Sequence, residues 1–114
     1  MIISGESYNK MYIRNRKDFS IIKIVKHHYW GYLFSGLCYP LQKVIVLGIG
    51  KYLIEFDYEN MKIMKDAKTE NSVCHILKVN DETFLIHESF RIIKLIRKND
   101  LTCLSHLKLW TDIS

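Results

Sequence analysis

Proline is nearly absent from this chain, with one among 114 residues, and no apolar run is longer than Val44 to Ile49, which Gly48 interrupts. The shortage of long apolar runs excludes a membrane-spanning helix, which needs about 20 consecutive apolar residues. The amino terminus, Met1-Ile2-Ile3-Ser4-Gly5-Glu6, has neither a basic leader nor a long apolar segment. It does not read as a secretory signal, and an intracellular location, cytoplasmic or otherwise, is expected. Cysteine is also scarce: Cys38, Cys74 and Cys103 leave one thiol over in any intramolecular pairing and fit no disulfide framework or zinc-ribbon spacing. Reduced, partly buried thiols are expected. Disorder is excluded by what is present, because 48% hydrophobic and 12% aromatic residues far exceed the balance of a disordered chain. The length suits one domain, residues 1–114, with a core of its own.

The formal net charge is +5, and most of it lies early, with six Lys or Arg against two Asp or Glu in residues 1–30. Arg14-Asn15-Arg16-Lys17 is the one dense basic patch. A surplus of this kind attracts an acidic partner or nucleic acid, and equally it describes a solvated turn.

A fixed period of a few tens of residues decides an architecture before any single strand does. Lys43 to Phe56 and Glu82 to Leu95 match in apolar or polar type at an offset of 39, placing Val46 over Leu85 and Leu53 over Ile92. The start of the chain repeats the shape, Met1 to Gly5 and then Met11 to Asn15, at about 42 to 43 residues before the middle copy. Each copy leads through a further apolar stretch to a junction: His27 to Tyr32, Thr69 to Cys74, and Trp110 to Ser114. Val73 and Ile113 are again 40 residues apart.

The pieces are short, rich in Ile, Val, Tyr and Phe, and divided by Gly, Asn, Asp or Ser, which is a strand-and-turn pattern. The reading predicts strands at 1–4, 10–14, 20–26, 31–37, 43–48, 51–57, 61–65, 73–79, 83–87, 90–96 and 101–108. Leu101, Leu104 and Leu107 recur every third residue as in a helix, but the repeat assigns them to a strand.

A period near 40 with four strands per unit resembles the WD-repeat β-propeller, whose blades are four-stranded antiparallel sheets around a channel. Ser4-Gly5 followed by Tyr8-Asn9-Lys10-Met11-Tyr12-Ile13-Arg14-Asn15 is similar to the family's second and third strands, with Asn9 where Asp is usual and Arg14-Asn15 where Trp-Asp is usual. Tyr52-Leu53-Ile54-Glu55-Phe56-Asp57 comes closer, with Phe for Trp, and His27 or His28 takes the place of the junction histidine. No unit keeps Trp-Asp or Gly-His, so the family's Asp-His-Ser-Trp hydrogen-bond set is absent. The resemblance implies an all-β, incomplete propeller with blades of roughly 1–30, 31–70 and 71–114, beginning in a second strand and stopping just after a fourth. Three blades do not close a ring, so the expectation is either part of a longer propeller or a chain that self-associates.

Chemistry-bearing motifs each have a plainer reading. Gly48-Ile49-Gly50 lacks the third glycine and helix of a dinucleotide loop and reads as a tight turn. Cys74-His75 and Cys103-x-x-His106 carry zinc-ligand types, but the repeat explains their spacing, and no metal or cofactor is expected. Asp81, Glu82 and Glu88 flank one predicted strand and read as solvated turn charges rather than a catalytic cluster, so no catalysis is expected. His28 and Trp30, beside His27 and Tyr29, read as a recognition surface or, for Trp30, as core. The expected function is a protein-protein interaction scaffold, with Arg14, Arg16, Lys17, His28 and Trp30 as candidate partner-binding residues. The alternative is a small basic β-domain that binds nucleic acid through the N-terminal patch.

Overall fold

The computed structural model describes residues 1–7, 9–29 and 31–108, with the side chains of Glu6 and Ser7 left aside. Every regular element among them is a strand: β1 (Ile2–Ser7), β2 (Lys10–Arg14), β3 (Ile21–Lys26), β4 (Leu33–Tyr39), β5 (Val44–Ile49), β6 (Tyr52–Asp57), β7 (Lys62–Lys68), β8 (Val73–Lys78), β9 (Thr83–Glu88), β10 (Ile92–Arg97) and β11 (Thr102–Lys108). All eleven expected strands are present, and the leucines of β11 follow the repeat rather than a helix. β1 and β7 each run three residues past their expected ends, to Ser7 and Lys68, and β4 starts at Leu33 instead of residue 31, where Gly31, at φ 125°, belongs to the junction. Pro40, with no amide hydrogen to donate, follows the last residue of that strand.

The strands form three antiparallel meanders, ordered β1-β2-β3, β4-β5-β6-β7 and β8-β9-β10-β11. Tight turns set this order. Between the last two strands of each sheet stands one residue in the left-handed region, Phe19 (φ 60°), Met61 (φ 57°) and Leu101 (φ 60°), so the same turn is built three times. A short polar side chain holds the turn open for each: Asn15 Oδ1 accepts from the Lys17 amide at 2.8 Å, Asp57 Oδ1 from the Glu59 amide at 2.9 Å, and Asp100 Oδ1 from the Thr102 amide at 3.1 Å. Gly48 and Ile49 remain in β5, and the expected turn is Gly50-Lys51, with Gly50 at φ 55°.

Side chains of the middle sheet reach both ways. Val46 and Leu53 join Val73, Ile76, Phe84, Ile86 and Ile96 in one core, while Leu47, Ile49, Ile54 and Phe56 join Met11, Ile13 and Tyr29 in the other. The period of two along each strand does this, since successive residues face opposite sides of the sheet. The sheets are therefore stacked face to face in chain order. They approach through small residues: a Cβ on Gly48 would meet Val73 Cγ1 at 2.7 Å, and one on Gly5 would meet Leu33 Cβ at 2.6 Å. Those two close contacts are the same contact in successive repeats.

The thiols depart from expectation. Cys38, Cys74 and Cys103 are free and all exposed rather than partly buried; all three stand on edge strands of their sheets, β4, β8 and β11.

Candidate functional site

The candidate basic residues gather at one end of the first sheet. Arg14 closes β2; its Nη1 donates to the Phe19 carbonyl at 2.8 Å and its guanidinium lies 5.7 Å from the Tyr12 ring centroid. Arg16 and Lys17 occupy the exposed turn that follows. His28 is at the other end of β3, so the length of that strand, about 20 Å, separates it from the basic turn. Arg14, Arg16 and Lys17 therefore do not form one surface patch with His28, and Trp30 lies outside the described residues.

Around His28 the geometry is structural. Tyr29 is buried, its hydroxyl donates to Asp66 Oδ2 at 2.6 Å, and its ring packs 5.0 Å from that of Tyr52. Burial, then the Asp66 contact, raise the Tyr29 hydroxyl far above its usual titration range, so it stays protonated and donating. His27 accepts from the Tyr29 amide through Nδ1 at 3.2 Å, and burial, with the charge of His28 beside it, lowers its pKa. The His28 ring lies tilted against that of Tyr29, with ring centroids 4.4 Å apart.

Glu88 corrects a sequence expectation. It is not a solvated turn charge: it is fully buried, with Oε2 at 2.8 Å from Lys94 Nζ and Oε1 accepting from the Asn71 amide at 3.2 Å. Glu88 thereby ties the last residue of β9 to the junction before β8 and to Lys94 of β10. Sequence reasoning missed it because the charges lie six residues apart across a hairpin; the pairing Lys94↔Ile86 shows that they sit on adjacent strands. Asp81 and Glu82 are exposed, as expected of turn charges. Cys74 and Cys103 stand on β8 and β11, the two edge strands of the third sheet, so three strand spacings, about 14 Å, part the two candidate thiolate-imidazole pairs. Among the described residues no group of three or more His, Cys, Asp or Glu could hold a metal ion, and no helix is long and apolar enough to cross a membrane.

Two apolar surfaces stand out instead. The first is a groove of about 540 Å³ between β1 and the middle sheet, lined by Met1 and Ile3 of β1, Phe34, Gly36 and Cys38 of β4, and Leu47 of β5. Phe34 is 60% exposed there. The second is the outer face of the third sheet, where cross-strand pairing sets Leu77 beside Leu85, Leu85 beside Leu95, and Ile93 beside Leu107. Leu77 and Leu107 on that face are 57% and 60% exposed. The sequence signalled neither, because alternation marks which residues share a face but not whether another layer covers it.

No protein-family model and no curated protein sequence matches the chain. Solved structures do. The Pan2 WD40 domain of Neurospora crassa matches 89% of this chain with a TM-score of 0.70 at 10% identity. Sqt1 of Saccharomyces cerevisiae matches 91% with a TM-score of 0.77 at 8% identity. The chain spans 31% and 29% of those two structures. With sheet order, stacking and repeated turns in agreement, the chain has an all-β fold, that of an incomplete WD40-type β-propeller.

Proposed function

We propose that this chain is a non-catalytic, intracellular scaffold whose sheet edges and faces bind other polypeptides. One observation carries the reading: large apolar side chains lie exposed along sheet faces that a rigid core holds in place, with Phe34 at 60%, Leu77 at 57% and Leu107 at 60% exposure. Contiguous apolar surface on a fixed framework marks an interaction site, and flat sheet faces and edges suit extended or β-rich partners. The propeller likeness supports a scaffold in general terms, since fold by itself does not fix function. The nucleic-acid alternative draws less support, because Arg14 is engaged with the Phe19 carbonyl and the Tyr12 ring, leaving Arg16 and Lys17 as the exposed cations of that turn.

The test places a photo-crosslinking amino acid at Phe34, Leu77 or Leu107, one position at a time, in cells. Discrete protease-sensitive adducts at one or more positions are expected. Adducts that nuclease removes and protease does not would overturn the scaffold reading in favour of nucleic acid, and no adduct at any position would overturn it outright.

A further inference from the structure

The second and third sheets, each of four paired strands, are fastened at one end by polar groups, and one of those groups has no partner. Tyr39 ends β4 with its side chain in the core between the two sheets, 2% exposed. Among the described residues nothing shares a hydrogen bond with its hydroxyl. The other buried side-chain oxygen without a hydrogen bond, Glu88 Oε2, is ion-paired with Lys94. A buried hydroxyl left unpaired is unfavourable by about 1 to 3 kcal/mol, so a lone one marks a place where a ligand can satisfy it.

Two cations of the third sheet close over the same ring. Lys78 Nζ, on the last residue of β8, lies 5.2 Å from the Tyr39 centroid, and Lys98 Nζ, just after β10, lies 5.3 Å from it. Lys98 also lines a polar cleft of about 410 Å³ with Gln42, Asp81, Glu82, Arg97 and Asn99. Burial, then the charge of Asp81, raise the pKa of the Tyr39 hydroxyl, so it stays protonated and is a donor at neutral pH.

We infer that Tyr39, Lys78 and Lys98 form a site for one free tetrahedral oxyanion of the phosphate type, held between the second and third sheets. The balance of charge favours an anion. Glu55 is 5% exposed and serves two lysines, Lys65 at 3.2 Å and Lys98 at 3.1 Å, which leaves one positive charge in excess at the junction. Lys78 is paired with Asp81 at 3.1 Å, and the Asp81 side chain is 73% exposed; such a pair is worth about 1 kcal/mol or less, so a dianion competes with Asp81 for Lys78. Glu82 stands on the exposed rim, where water and salt screen it. Charge-assisted hydrogen bonds to phosphate oxygens are about twice as strong as neutral ones, and a tetrahedral ion has an oxygen for each of three donors, where a carboxylate has two. A bound ion ties β4 to β8 and to the turn after β10.

The test titrates the 114-residue chain with inorganic phosphate at constant ionic strength, followed by calorimetry, with sulfate, acetate and chloride in parallel. Phosphate and sulfate are expected to saturate one site, and acetate to bind about tenfold more weakly. Tyr39→Phe keeps the ring and removes the hydroxyl, and its affinity for phosphate should fall about tenfold, the loss of one charge-assisted hydrogen bond. Lys78→Gln should lose as much. Lys51→Gln, at the opposite end of the middle sheet, removes the same charge and should bind as the parent does. In chloride alone, Tyr39→Phe should melt at the parent's temperature or above it, which also shows that the variant folds. Phosphate bound no more tightly than chloride, an affinity indifferent to Tyr39→Phe, or equal losses in Lys78→Gln and Lys51→Gln would overturn the site. So would a lower melting temperature of Tyr39→Phe in chloride, because water then already satisfies the hydroxyl. Acetate binding as tightly as phosphate would overturn the phosphate assignment in favour of a carboxylate, such as an acidic side chain of a partner.

Discussion

Removing the Glu88 carboxylate is a severe single change in the third blade. Glu88→Ala leaves the Lys94 ammonium 9% exposed with one remaining partner, Glu70 at 3.2 Å, whose side chain is 80% exposed. The Asn71 amide loses its acceptor as well. Breaking a buried pair from one side costs about 3 to 5 kcal/mol, because the surviving charge keeps its desolvation penalty and loses its compensation. A domain of this size has about 5 to 15 kcal/mol in total, so the change removes about a fifth or more. With a urea slope of about 1.5 kcal/mol/M, the unfolding midpoint should fall by about 2 to 3 M. Glu88→Leu with Lys94→Met removes both charges together and should recover most of that loss, short of about 1 kcal/mol for the Asn71 amide. Lys94 adds a pH signature: burial works to lower its pKa, but the hydrogen bonds to Glu88 and Glu70 outweigh burial and raise it. Its contribution is therefore complete below the unfolded lysine value, about 10.4, and is lost as pH rises through the raised folded value. A Glu88→Ala loss below about 1 kcal/mol, or a double variant no better than the single, would refute this reasoning.

Acid should loosen the junction between the first two blades. Burial, then His28, lower the pKa of His27, so the stability it contributes is complete above the unfolded histidine value, about 6.5, and is lost as pH falls through the folded one; His27→Gln should flatten thermal melts recorded across that window. Gly48→Val should cost about 1 to 3 kcal/mol by forcing a side chain into Val73, whose Cγ1 would lie 2.7 Å from the new Cβ, and denaturant melts would show the loss. All three thiols should react with maleimide in the native chain, as counted by mass spectrometry; a thiol that reacts only after unfolding would contradict the exposure of Cys38, Cys74 or Cys103.

Much of the fold was legible because it is periodic. The match of Val46 with Leu85 reflects strands that present the same face of successive blades, whereas the expected match of Leu53 with Ile92 fails by one residue: the β9-β10 hairpin is one residue longer, so Ile93, paired with His87, takes the place of Leu53, paired with Gly48. Boundaries were less legible where a junction residue looks strand-like, as at the start of β4. The polar set was hidden by distance along the chain: nothing in the spacing of Glu70, Glu88 and Lys94 says that they converge. The thiols were misplaced because burial of cysteine is a tendency of the residue type, whereas all three here stand on edge strands.

The account turns on the middle blade being clasped from both sides while the first blade keeps an open edge, and native-state hydrogen exchange resolves this residue by residue. Amides of β5 and β6, which send side chains into both cores, should exchange slowest and only through global unfolding, and those of β3, β7 and β11 fastest among the strands. Equal protection across the three blades, or slowest exchange in the first, would contradict a stacked row with its edge open.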